Sequence, residues 1–192
     1  MNLTDNAIPK IFFIKLFFLL FLLPASYINS AQHNFLVEDL LDKLQKAETN
    51  IEAEIIRKKI WNKWIYQVPK NQQQNLKYAL DEFYSGRLSS AEKAFTNLII
   101  KDPNYTEGWN KRATIRFMRN DLDGSLKDIK KVLELQPRHF GAISGSGMIY
   151  LKKKKYKTAL RFYKILNAID PMNNESKKFI KLINKFITEN TA

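Results

Sequence analysis

Few side chains in this sequence could carry catalytic or metal chemistry. The chain has no cysteine, which excludes disulfides, thiolate zinc ligands and thiol nucleophiles. Its only two histidines are His33 and His139, which are too few to assemble a metal site. His139, beside Arg138, could bind an anion or titrate as a switch, or it could hydrogen-bond the backbone and shape a turn, which we favour. We therefore predict no catalytic residue, no metal site and no cofactor.

One glycine-rich segment, GAISGSG at residues 141–147, superficially resembles a phosphate-binding loop. Such loops follow a strand and open a helix. This segment lies within a predicted helix, where small residues that permit close helix packing explain it better. The sequence therefore predicts a protein that is not an enzyme.

Prolines recur every 34 residues, at Pro103, Pro137 and Pro171. A period of about 34 residues is typical of a repeated helix–turn–helix unit. The period extends to positions that hold small residues and to a position that holds large apolar ones. Small residues facing large ones allow the two helices of a hairpin to pack closely. The small residues are Ala79, Ala113 and Gly147 on the first helices and Ala91, Ser125 and Ala159 on the second, and the large ones are Phe95, Ile129 and Tyr163.

We therefore predict an all-α fold, a right-handed α-solenoid of three helix–turn–helix repeats with flanking helices. The repeats are expected over residues 72–105, 106–139 and 140–173. Two N-terminal helices, broken near Thr49 within residues 35–70, are expected to pack on the first repeat through Trp61 and Trp64. End repeats expose apolar faces that need covering. A C-terminal capping helix is therefore predicted over 174–188.

These segments resemble the tetratricopeptide repeat (TPR) superfamily and, more narrowly, its small exported bacterial members. The resemblance covers about residues 37–172. It implies a protein-interaction module in which the first helices of the repeats line a concave groove that holds a peptide or partner helix. The strings that carry it are IWNKW (60–64), GWNKRAT (108–114) and SLKDIKKVLELQPRHFGAISGSG (125–147).

The resemblance places ten residues in the concave groove. Related proteins that grip the C-terminal carboxylates of chaperones have Lys and Asn where this chain has Leu76 and Leu80, so we do not expect chaperone binding. The mixed apolar and basic lining predicts an acidic or amphipathic protein or peptide partner. The ten residues are Leu76, Leu80, Phe83, Asn110, Lys111, Thr114, Phe117, Ser144, Met148 and Lys152.

Arg112 stands at a place that usually holds leucine in such repeats, facing the interior of the hairpin. A buried guanidinium needs a carboxylate partner, because an unpaired buried charge is costly. Asp128, on the second helix of the same repeat, is the obvious candidate. We predict a bidentate Arg112–Asp128 ion pair with a structural role, the alternative being contact with a ligand. Trp109 is expected to pack in the core.

Residues 1–31 have the pattern of a secretory signal peptide. Lys10 precedes an apolar segment whose uninterrupted part, residues 16–23, is shorter than the roughly 20 residues that span a bilayer. Small residues follow it. We predict export to the periplasm. The alternative is an uncleaved anchor in the inner membrane, with residues 11–23 in the bilayer and the basic surface on anionic lipid.

The formal net charge of +13 raises the question of nucleic-acid binding. The basic residues are mostly lysines accompanied by many asparagines and isoleucines, a mixture that AT-rich coding produces without selection for a ligand. An exported protein also meets little nucleic acid. We therefore predict no nucleic-acid partner, and assign the charge to a solvated surface, anionic lipid or an acidic partner.

Overall fold

The computed structural model describes residues 25–190, with side chains from residue 35 onward. This part of the chain is entirely helical, which confirms the predicted all-α fold. The chain from Asp39 onward is one compact unit that contains all three repeats. The helices are α1 (Ala25–Gln45), α2 (Asn50–Ile65), α3 (Gln73–Tyr84), α4 (Leu88–Lys101), α5 (Thr106–Met118), α6 (Leu122–Leu135), α7 (Phe140–Lys152), α8 (Tyr156–Ile169) and α9 (Asn174–Glu189), with a 3-10 turn at Lys70–Gln72 before α3.

Each predicted repeat holds one helical hairpin: α3–α4, α5–α6 and α7–α8. The turn inside each hairpin contains one residue with positive φ, and these residues are again 34 positions apart: Gly86 (72°), Asn120 (66°) and Lys154 (57°). Glycine and asparagine adopt this left-handed conformation readily, whereas it is uncommon for lysine. The same backbone geometry is therefore imposed on three different side chains, which shows that the hairpin and not the turn residue determines it.

The two helices of each hairpin meet at the small residues. In the third repeat, a Cβ atom on Gly147 would lie 2.9 Å from the ring of Tyr163, which is fully buried. In the first repeat, the fully buried Ala79 and Ala91 belong to the same core cluster as Phe95. This is the small-facing-large packing that the sequence predicts.

Helix α2 departs from the prediction. Its C-terminal end contacts the first repeat, where the Ile65 side chain packs on the core and its carbonyl accepts a hydrogen bond from the Tyr105 hydroxyl at 2.8 Å. Burial raises the pKa of Tyr105, which keeps the phenol protonated as a donor. Trp61 and Trp64, expected on the first repeat, lie instead against His139 and Phe140, at the boundary between the second and third repeats.

The contacts of the two indole rings show this path. The Trp64 ring stacks on the His139 ring with centroids 3.9 Å apart, and the Trp61 ring meets Phe140 edge-on at 5.1 Å. Further along, Arg57 donates to Asp170 at 2.8 Å, at the end of the third repeat. Helix α2 thus crosses all three repeats along the N-terminal ends of α5 and α7. Of the apolar residues at helical spacing in α2, Ile56, Ile60 and Trp64 are buried, whereas Ile51 and Ile55 are exposed. The spacing contained no information on the partners of the buried ones.

Helix α9 covers the end of the third repeat, as the predicted cap should. Its Phe179 ring stacks on Tyr163 at 4.7 Å, and Phe186 meets Tyr156 at 4.3 Å. At its start, the Asn173 side chain accepts from the backbone N–H of Ser176 and so caps the helix.

The predicted signal segment falls almost wholly outside the described residues. Residues 1–24 are not described, and the predicted boundary at residue 31 lies within α1. Among the helices that are described, none has both the length and the apolar character needed to cross a membrane.

The contact at Gly147 predicts opposite effects for two neighbouring glycines. Gly147→Ala should lower the free energy of unfolding by about 1–3 kcal/mol, because the added methyl group overlaps the buried Tyr163 ring. Gly145→Ala, whose Cβ would lie 3.4 Å from the Ile129 side chain, should raise it by about 0.5–1 kcal/mol through better helix propensity. Thermal and urea unfolding followed by circular dichroism would compare them. Equal effects would contradict this account of the hairpin.

Candidate functional site

The ten residues predicted for the concave groove lie on α3, α5 and α7, and two of them are not available to a partner. Leu76 is buried in the core of the first repeat. Asn110 is buried and donates to both carboxylate oxygens of Glu107, at 3.2 and 3.0 Å. In this structure both residues hold the fold, which corrects their prediction as contact residues.

Lys111 is a third residue whose surroundings differ from the expectation. Its ammonium lies 3.4 Å from a Glu107 carboxylate oxygen, and 5.6 and 5.4 Å from the ring centroids of Trp61 and Phe83. Only 14% of its side chain is exposed. Its charge therefore serves the contact between α2 and α5 and is largely withdrawn from the groove.

The remaining predicted residues stay at least partly accessible, with Thr114 and Lys152 exposed. Lys152 holds its ammonium 5.5 Å from the ring centroid of Phe117, which combines a cation with an apolar surface. We call this accessible part the open groove section. It comprises Leu80, Phe83, Thr114, Phe117, Ser144, Met148 and Lys152.

Two exposed apolar residues that sequence reasoning missed belong beside the open groove section. Tyr84 and Met118 are 71% and 55% exposed. They stand 68 and 34 positions before Lys152 and are therefore its equivalents in the first and second repeats. The repeat period was the signal that could have found them.

A buried polar cluster joins α2, α5 and α7, and its central residue, Glu107, was also missed. Glu107 is fully buried and lies 3.2 Å from His139 Nε2. Nδ1 of His139 accepts the backbone N–H of Ala142 at 3.2 Å, so the proton of a neutral ring lies on Nε2 and is donated to Glu107. The histidine therefore caps α7 and shapes the turn, with no exposed edge for an anion. The signal for Glu107 was its spacing of three and four residues from Asn110 and Lys111.

Arg112 and Asp128 form the predicted bidentate geometry. Nε and Nη2 of Arg112 donate to the two carboxylate oxygens of Asp128 at 2.9 and 2.8 Å, and both side chains are buried. Nη1 donates to the Thr96 hydroxyl at 3.1 Å, which ties the pair to α4 of the first repeat. Trp109, expected in the core, is half-buried and lies over the guanidinium at 4.8 Å.

The ion pair belongs to a larger group that we call the arginine network, which comprises Glu92, Thr96, Arg112, Arg116, Arg119 and Asp128. Arg116 contacts Asp128 and Glu92, both at 3.0 Å, and Arg119 contacts Glu92 as well. The network fills the space between α4 and α6, the second helices of the first two repeats. Arg112 and Asp128 are buried, and Arg112 donates hydrogen bonds to Asp128 and Thr96, which favours the structural role over ligand contact.

The described side chains contain no group of three or more His, Cys, Asp or Glu residues placed to hold a metal ion. The buried Glu107–His139 contact is enclosed on all sides, so a substrate could not reach it. The part of the predicted groove that offers a ligand accessible surface is the open groove section.

Comparison with known proteins agrees with this architecture. No family model matches the chain. A TPR repeat-containing protein of Rhizobium etli is 32% identical over 85 residues, which is 44% of this chain and 42% of that protein. The chain thus spans less than half the length of this curated relative.

Solved structures of similar fold include three peptide or chaperone complexes. The first TPR domain of Spaghetti (RPAP3), bound to an HSP90 peptide, matches with a TM-score of 0.59 at 18% identity, over 64% of this chain and 98% of that one. The TPR2B domain of yeast Sti1, in a complex with pHsp70, matches with a TM-score of 0.56 at 18% identity, over 61% of this chain and 98% of that one. The Yersinia enterocolitica secretion chaperone SycD, with a YopD peptide, matches with a TM-score of 0.57 at 13% identity, over 62% of this chain and 96% of that one. These TM-scores, all above 0.5, establish a shared fold.

The arginine network predicts how stability changes when Arg112 is replaced alone and when Asp128 is replaced with it. Arg112→Met should lower the free energy of unfolding by roughly 3 kcal/mol, because Asp128 then keeps only Arg116 as a partner. Adding Asp128→Leu to Arg112→Met should recover at least half of that loss, because no buried carboxylate is left short of a partner. Urea unfolding of the two variants tests this. An unchanged stability of Arg112→Met would refute the structural role.

Proposed function

We propose that the three hairpins are tetratricopeptide repeats and that the chain is a non-enzymatic scaffold that binds a protein partner in its open groove section. The partner binds as a peptide segment or a helix. The carrying observation is that α2 covers the N-terminal ends of α5 and α7 but leaves this apolar and basic section accessible.

The neighbours in fold support a peptide as the ligand. Two solved TPR domains were captured with an HSP90 peptide and with pHsp70, and the secretion chaperone SycD was captured with a YopD peptide. In this chain the corresponding clamp positions hold apolar residues, Leu80 and the buried Leu76. A terminal carboxylate is therefore not the feature that this groove recognises.

The lining of the open groove section indicates the chemistry of the partner. Phe83, Phe117 and Met148 offer apolar contacts, and Lys152 at the edge offers a positive charge. An amphipathic segment with apolar anchors and an acidic flank is complementary to this arrangement. The area is small, so affinity depends on a few anchors and is weak to moderate.

We also propose that the protein works in the cell envelope. The support is the basic and then apolar pattern of residues 1–31, which favours export to the periplasm. The alternative is an uncleaved inner-membrane anchor, with the lysine-rich surface of the helical unit on anionic lipid.

Substitutions at the exposed edge of the groove test the binding site. Thr114→Arg adds bulk and Lys152→Glu reverses a charge, so each should lower the yield of a partner crosslinked to the tagged protein by about tenfold. Lys185→Glu makes the same charge change on α9, where 71% of the side chain is exposed, and should leave the yield unchanged. Quantitative mass spectrometry of the crosslinked complexes supplies the measurement. Equal recovery with all three variants would exclude this groove.

The proposed location is tested by fractionation of a bacterial host. A periplasmic protein should begin near residue 31 or 32 on N-terminal sequencing and be digested by protease added to spheroplasts. An anchored protein should keep its N-terminus and sediment with inner membranes. An intact N-terminus on a protease-protected protein in the soluble cytoplasmic fraction would contradict both forms of the proposal.

A further inference from the structure

A second accessible site lies on the other side of the array, between the second helices of the second and third repeats. It is a cleft of about 460 Å³ between α6 and α8, with α7 as its floor. Small-molecule sites in proteins commonly measure about 300–1,000 Å³. The residues that line this cleft are Leu126, Ile129, Lys130, Leu133, Glu134, Ser146, Tyr150 and Phe162.

The repeat period explains why this cleft exists. Moved forward by 34 residues, the arginine network falls on the lining of the cleft. Five of its members are replaced by residues of different chemistry, and the substitutions convert a space filled with ion pairs into an apolar one. The equivalent pairs are Glu92 and Leu126, Thr96 and Lys130, Arg112 and Ser146, Arg116 and Tyr150, and Asp128 and Phe162.

The largest change is at the floor of the cleft. Arg112 reaches across to α4 and α6, whereas Ser146 at the same place is buried and donates to the carbonyl of Ala142 in its own helix. Ser146 therefore fills none of the equivalent space. Tyr150 and Phe162 stack with centroids 5.5 Å apart and form one end of the apolar wall.

The cleft is separate from the open groove section. Ser146 and Tyr150 each stand two residues from a groove residue on α7, Ser144 and Met148, which places them on opposite faces of the helix, roughly 200° around its axis. A ligand in the cleft and a partner in the groove would not contact each other. Ligand binding in the cleft is therefore independent of the proposed function of the groove.

The mouth of the cleft carries positive charge. The Lys130 side chain is 80% exposed at the rim, and its ammonium lies 4.0 Å from Glu134, which also pairs with Lys131 at 3.6 Å. Lys127 and Arg161, next to lining residues on α6 and α8, are exposed as well, as is Ile165, which continues the apolar strip. An apolar interior with a cationic rim is complementary to an amphiphile that has a negative head group.

We propose that this cleft binds the acyl chain of a fatty-acid-like anionic amphiphile, with the chain against Leu126, Leu133 and Phe162 and the carboxylate at Lys130. The acyl chain occupies the space that the Arg112 side chain fills in the preceding repeat. The binding is non-covalent, and the head group remains in contact with water.

Decanoate below its micellar concentration is the probe, with binding followed by methyl chemical shifts in NMR titrations. Leu126, Ile129 and Leu133 should shift, and affinity should rise about threefold for each methylene added from hexanoate to decanoate. Lys130→Gln should weaken the binding of decanoate by about two- to fivefold and leave the binding of decanol unaffected. Glu134→Gln should strengthen the binding of decanoate by a similar factor.

Variants in which larger side chains fill the cleft give the decisive test. The triple variant Leu126→Glu, Ser146→Arg and Phe162→Asp introduces the counterparts of Glu92, Arg112 and Asp128 and should abolish binding. Ser146→Leu, which fills the floor with one apolar side chain, should weaken decanoate at least tenfold and keeps the test valid if the triple variant does not fold. Unchanged binding by a folded cleft-filling variant would overturn the proposal. Equal affinity of the unchanged protein for decanoate, decanol and decyltrimethylammonium would also overturn it, because it would indicate apolar adsorption alone.

Discussion

Close packing of the two helices within each hairpin is the constraint on which the rest of the structure depends. The small residues at the crossing bring the backbones together, and at Gly147 the Tyr163 ring leaves no room even for a methyl group. Because this geometry is repeated, residues 34 positions apart occupy equivalent places in successive repeats. The left-handed residues of the three turns obey the same rule, although glycine, asparagine and lysine differ in their preference for that conformation.

A repeated backbone leaves the side chains at equivalent places free to differ. Between α4 and α6 the space is filled by charges that satisfy one another, chiefly Arg112 with Asp128. Between α6 and α8 it is lined by apolar residues and left open. A buried ion pair is only weak evidence for stability, but removal of one partner is costly. Such a network therefore constrains how the two repeats pack against each other. The apolar cleft imposes no such requirement and tolerates a ligand.

The sequence predicted the structural features that recur with the repeat period and those that depend on adjacent helices. The hairpins follow from residues that recur every 34 positions, and the Arg112–Asp128 pair follows from a buried charge with a carboxylate on the adjacent helix. The path of α2 could not be predicted, because the contacts of Trp64 with His139 and of Arg57 with Asp170 join segments 75 and 113 residues apart that share no period. Leu76 and Asn110 were assigned to the groove from helix position alone, and tertiary contacts bury them.

Helix α2 also determines what the groove can recognise. It lies across the N-terminal ends of α5 and α7, where Glu107 and Lys111 already satisfy each other. The charges at that end are therefore used internally, whereas Thr114, Phe117, Met148 and Lys152 on the C-terminal halves of the same helices stay accessible. There the exposed Tyr84 and Met118 precede Lys152 at equivalent places, so charge is concentrated at the third repeat and apolar surface at the first two. On the proposed function, a partner along this surface places its apolar anchors at the first two repeats and its acidic flank at the third.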